Sequence, residues 1–115
     1  MDDSQQASDA DAKYAPFLAV LETDPDDPMV HYGLARMYAT DKRWQDAAGF
    51  LRKTVELDPS YSVAYRDLGL ALEALDDPAG AAEAYRAGLP HAESKGDLMV
   101  VRELKSALAR LDAAG

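Results

Sequence analysis

Shifted by 34 residues, the chain falls on itself. Glu22-Thr23-Asp24-Pro25 lands on Glu56-Leu57-Asp58-Pro59. The same shift carries His31 onto Tyr65, Leu34 onto Leu68, Ala35 onto Gly69, Tyr38 onto Leu72, Ala47 onto Ala81, Ala48 onto Ala82 and Leu51 onto Tyr85. A phase-locked period of this length requires a stack of one supersecondary unit, because a single unit cannot bury its apolar face alone. The units are helical: Ala is frequent, and β-branched residues are too sparse to alternate along strands. Asp24-Pro25 and Asp58-Pro59 stop helices, whereas Asp77-Pro78 reads as an N-cap followed by Pro at the first helical position. Lys95-Gly96-Asp97 combines a C-cap glycine with a new N-cap. Six helices are expected, at about 14–23, 27–40, 44–57, 61–75, 78–94 and 97–112, with connections short enough to make successive helices antiparallel. Pro16 is tolerated only within a first turn, so the first helix starts near Tyr14.

Two helices per 34 residues, with Tyr65-x-x-Leu68-Gly69-x-x-Leu72 … Ala81-x-x-x-Tyr85 in one unit and Leu34-Ala35-x-x-Tyr38 … Ala47-x-x-x-Leu51 … Pro59 in the other, resembles the tetratricopeptide repeat family in its small bacterial form. The departures are His31 at the first large position, Leu72 for an aromatic, and Glu93 where a closing Pro would stand. The resemblance covers residues 14–112 and implies an all-α, right-handed superhelix of antiparallel helix pairs, about two and a half repeats with a C-terminal capping helix. The expected domain spans 13–115: a half-repeat at 14–27, units at about 28–61 and 62–97, and the cap at 97–112. Small Ala35 and Gly69 mark the close approach of paired helices, Ala47 and Ala81 answer them, and Trp44 fills the corner between two helices. Val101, Leu104 and Leu108 repeat Tyr65, Leu68 and Leu72 at a spacing of 36, so two extra residues near Ser94–Asp97 lengthen helix 78–94. Lys105 then stands where Gly69 did, a residue that ends the stack.

Residues 1–12 contain four Asp and no large apolar residue after Met1, and are expected to form a disordered acidic tail. Twenty-one acidic against 12 basic residues give a net charge of −9, the wrong field for non-specific nucleic-acid binding or for anionic lipid. With no Cys, no apolar run long enough to span a bilayer and no secretory leader pattern, a cytoplasmic address is expected.

Catalytic and cofactor motifs are missing. His31 and His91 lie on different helices without a metal-ligand spacing; the first reads as a packed structural residue, the second as solvated. Asp24, Asp26 and Asp27 lack the Gly and closing Glu of a calcium loop. No phosphate loop or nucleophile elbow exists. The reading is a non-enzymatic module with no metal and no cofactor. The resemblance implies a concave groove lined by the first helix of each pair: Met29, Tyr32, Arg36, Ala39 and Thr40; Val63, Arg66, Leu70, Glu73 and Ala74; and Met99, Arg102, Ser106, Ala109 and Arg110. Four Arg against one Glu favour a peptide segment of acidic character, since guanidinium forks carboxylates. Arg36 and Arg66 pairing with Glu73 and other acids as ordinary solvated surface is the competing expectation. The chain has no Asn, so the Lys–Asn carboxylate clamp of some family members is absent as such. The tail aspartates Asp2, Asp3, Asp9 and Asp11 either serve only as a solubilising tail without contacts, the leading expectation because exposed charge attraction is small and screened, or compete weakly with acidic ligands at Arg36 and Arg66. The alternative function is a self-associating homodimer that covers its own groove or end face.

Overall fold

The computed structural model describes residues 11–114. Among these, a 3-10 turn (Ala12–Tyr14) precedes six α-helices: α1 (Ala15–Thr23), α2 (Pro28–Thr40), α3 (Trp44–Leu57), α4 (Ser62–Ala74), α5 (Pro78–Lys95) and α6 (Leu98–Ala114). No described residue is in a strand. The stack measures 48 × 31 × 18 Å, as expected of helix pairs laid side by side.

The repeat is visible at atomic level. The turns inside the two full pairs are closed by left-handed residues 34 apart, Lys42 at φ 59° and Asp76 at φ 62°. The Lys42 and Asp76 amides donate to the carbonyls of Ala39 and Glu73, and the next amides, Arg43 and Asp77, donate to Tyr38 and Leu72. His31 and Tyr65 also do the same work: each reaches back to the proline that follows the preceding helix, His31 Nε2 to Pro25 O at 2.8 Å and Tyr65 Oη to Pro59 O at 2.7 Å. With the ring proton on Nε2, His31 Nδ1 is left buried and unpartnered. His91 is half-buried, its ring stacked on Tyr65 at 5.5 Å and 7°. The expectation of a solvated His91 is therefore corrected: an aromatic shelf was available to it.

Two glycines let α4 and α5 approach closely. A Cβ at Gly69 would lie 2.0 Å from the Tyr85 ring, and one at Gly88 would lie 2.4 Å from Tyr65 Cβ. Each helix thus offers a glycine to the other's tyrosine. Helix α5 has 18 residues against 14 for α3 and ends on Gly96 at φ 69°. It overruns by about one turn, and α6 accordingly starts 36 residues after α4. Leu104 is fully buried and Val101 and Leu108 partly so, with Val100 buried beside them and Lys105 exposed. Pro90 sits inside α5 on its exposed side.

The acidic tail expected at 1–12 lies outside the described residues except for Asp11 and Ala12. Asp11 pairs with Arg43 at 2.5 Å, not with Arg36 or Arg66, because the chain is pinned there. Tyr14 is buried, stacks on Tyr38 at 3.9 Å, and donates to Asp41, which also pairs with Lys13. Burial, then the Asp41 carboxylate, push the Tyr14 phenol up to about 12. Helix α1 itself has no buried residue and exposes Phe17, Leu18 and Val20.

Candidate functional site

Helices α2, α4 and α6 stand side by side and present two adjoining hollows. The first, about 480 Å³, has a floor of Ala35, Ala39, Trp44 and Leu51 and a rim of Arg36, Thr40, Arg66, Asp67 and Leu70. The second, about 450 Å³, is lined by Arg66, Leu70, Tyr85, Glu103, Ser106, Ala107 and Arg110. Arg66 and Leu70 belong to both and form the ridge between them.

Of the residues expected to form the groove, the structure gathers Arg36, Thr40, Arg66, Leu70 and Ser106 here, with Ala39 and Arg110. Glu73 borders the second hollow through its partners: Arg110 binds it with two hydrogen bonds, 2.6 and 2.9 Å, and Tyr85 donates to the same carboxylate. Met29 and Met99, 70% and 73% exposed, start their helices away from both hollows, and Val63 and Arg102 line neither. Tyr32 is only 9% exposed. It packs on Tyr61 at 4.9 Å and donates to Asp67 at 2.6 Å, so it supports the wall from behind. Burial, then Asp67, raise its phenol to about 12.

Sequence reasoning missed the acids. Asp67 and Glu103 flank Arg66 at 3.0 and 3.1 Å, and the Arg66 side chain is 24% exposed. Burial opposes its charge, but Asp67 and Glu103 outweigh this and hold the guanidinium above its ordinary range. Arg110 draws Glu73 below the usual carboxylate range against a smaller desolvation penalty. The excess of Arg is therefore largely cancelled along the α4–α6 side. Arg36 has no ion-pair partner among the described residues. The competing expectation, Arg36 and Arg66 on Glu73 and other acids, holds for Arg66, which takes Asp67 and Glu103; it is corrected for Glu73, which faces Arg110, and for Arg36, which pairs with none of the described acids. The signal that could have found them is spacing, since Arg66–Glu103 and Glu73–Arg110 are both 37 apart, one residue beyond the 36-residue register that relates α4 to α6. Trp44 and Leu51, assigned to packing, also floor the first hollow.

Helix pairs repeated in phase around a concave face define a helical-repeat solenoid. A tetratricopeptide repeat family model matches residues 3–62, and the chain belongs to that family. It is 36% identical over 95 residues to a TPR repeat-containing protein of Pseudomonas aeruginosa, covering 83% of this chain and 90% of the relative. The solution structure of a Bordetella parapertussis protein superposes with TM-score 0.73 at 36% identity over 87% of each chain. The first TPR of Spaghetti (RPAP3), bound to the HSP90 peptide SRMEEVD, shares the fold with TM-score 0.74 at 22% identity, covering 95% of this chain and 85% of that one. The family is a non-enzymatic protein-interaction fold. Among the described residues no helix is long and apolar enough to cross a membrane.

Proposed function

We propose that this chain is a non-catalytic protein-interaction module that holds a peptide segment of a partner protein along the face formed by α2, α4 and α6. The observation that carries this is the pair of adjoining hollows, largely apolar in floor and polar in rim, which run across three helices. Such a surface suits an extended or helical segment with side chains at regular intervals. A neighbour of the same fold holds a peptide; this chain has no Asn, so a Lys–Asn clamp is not its means. Selection of a random-peptide display library on the full chain, followed by amide-shift mapping of a selected peptide, tests the reading. Shifts on α2, α4 and α6 support it; shifts confined to the outer surfaces of α3 and α5 refute it. A second reading, a homodimer through α1, rests on the exposed Phe17, Leu18 and Val20. A sedimentation coefficient that rises with concentration and collapses in Phe17→Ser would favour it.

A further inference from the structure

The two hollows occupy equivalent places in successive units, and comparing them position by position indicates what the first one takes. In the wall of the second, Tyr85 from α5, Glu73 from α4 and Arg110 from α6 are joined by hydrogen bonds. Shifting back by 34 residues places Leu51 at Tyr85 and Ala39 at Glu73, and the 36-residue spacing that relates α6 to α4 places Ala74 at Arg110. All three polar members are thus truncated around the first hollow, and Ala39 and Leu51 form its floor beside Trp44. In the opposite exchange Arg36, exposed on the rim, stands where the second hollow has Leu70. The second hollow supplies its own phenol and carboxylate and satisfies its guanidinium groups internally. The first has an apolar floor sized like a small-ligand site, whose typical range is about 300–1,000 Å³, and a guanidinium without a described carboxylate.

Resting on the groove reading above, we infer that the first hollow takes a partner segment in which an aromatic residue stands beside a carboxylate. The ring lies over Leu51, Ala39 and Trp44, and the carboxylate is forked by Arg36. The segment restores in trans the phenol and carboxylate that Tyr85 and Glu73 supply in cis one unit further on. Arg66 contributes less, because Asp67 and Glu103 already neutralise it.

Trp44 is the single tryptophan, so its fluorescence and indole N–H report on this floor alone. The probe is acetyl-Gly-Ser-Tyr-Glu-Ser-Gly-amide, titrated into the full chain. The expected result is a saturable Trp44 response, weakened at least tenfold when the peptide's Glu is replaced by Gln or its Tyr by Ala, and at least tenfold in Arg36→Glu. The quadruple variant Ala35→Gly, Ala39→Glu, Leu51→Tyr, Ala74→Arg transplants the internal group together with the glycine its ring requires and should abolish the response; circular dichroism checks that it still folds. Arg36→Glu, an exposed change, tests the charge even if the quadruple variant does not fold. No Trp44 response, equal responses to the three peptides, or full binding by Arg36→Glu overturns the inference. If display-selected peptides shift only residues around Ser106 and Arg110, this inference falls while the groove reading stands. If nothing selected touches the concave face, both fall. Concentration-dependent dimerisation that protects Trp44 also overturns it.

Discussion

Gly69→Ala should destabilise the protein, although Ala is the better helix former by about 1 kcal/mol. The added Cβ would sit 2.0, 2.4 and 2.5 Å from three carbons of the Tyr85 ring, whereas carbon contacts settle near 3.5–4.0 Å. Relief requires the ring to move by about 1.5 Å. Tyr85 is fully buried and its hydroxyl is tied to Glu73, so the ring cannot swing away without breaking that bond. Overpacking typically costs about 1–3 kcal/mol, and loss of a charge-assisted hydrogen bond adds about 1.5–3. Against the gain in propensity, the net loss should be about 2 kcal/mol or more, some 8–16 °C in Tm for a domain this size. The preceding unit suggests the rescue, because the equivalent pair there is Ala35 with Leu51. Gly69→Ala/Tyr85→Leu should therefore be at least 1 kcal/mol more stable than the sum of the single variants predicts, measured by urea denaturation as a double-mutant cycle. An unchanged or raised Tm for Gly69→Ala, or strict additivity, would refute the argument.

All six tyrosines are shifted upward, chiefly by burial, so absorbance at 295 nm should show no tyrosine of the folded chain ionising with a midpoint at or below about pH 10. Because the shifts are upward, their stabilisation is intact below the unfolded value near 10 and is lost as pH rises toward about 12; Tyr14 and Tyr32 should each contribute a slope of about 1.4 kcal/mol per pH unit in that window, and chemical denaturation that is flat from pH 10 to 11.5 would contradict this. Lys42→Gly should raise Tm by a few degrees, because a lysine at φ 59° bears about 1 kcal/mol of left-handed strain; a fall would show that the Lys42 side chain contributes more than the backbone loses. Asp77→Ala removes the carboxylate that accepts from the Gly80 amide and should cost about 1 kcal/mol in urea denaturation; no change would show that the start of α5 does not depend on this cap.

The period carried the fold. Leu34, Leu68, Ala47 and Ala81 could be placed in the core from spacing alone, and the step from 34 to 36 located the longer α5 and the start of α6. The glycine at 69 was legible for the same reason, since a small residue recurs there. Gly88 was not, because it answers Tyr65 across the pair and its 34-residue counterpart, Thr54, is not small. The site was legible as a face but not as a charge distribution. Asp67 adjoins Arg66 in the chain, whereas Met37 follows Arg36, but only the lateral placement of α4 against α6 adds Glu103 to Arg66 and leaves Arg36 open. Tyr32 and Met29 occupy the same helix, but whether each meets a neighbouring helix or solvent depends on packing between units. That packing fixes side-chain direction, which the local pattern does not record.

Whether a partner segment lies on the α2–α4–α6 face is decided by site-specific photo-crosslinking in cells that naturally express the protein. A photoreactive amino acid is placed singly at Thr40 and Leu70, on the rim of the first hollow, and at Arg52 and Glu83, beside the separate depression that includes Val55 and Ala87 on α3 and α5. Discrete adducts with another protein are expected from positions 40 and 70, and none from 52 and 83. Adducts from 52 and 83 alone, or only crosslinked copies of this chain at every position, would contradict binding on that face.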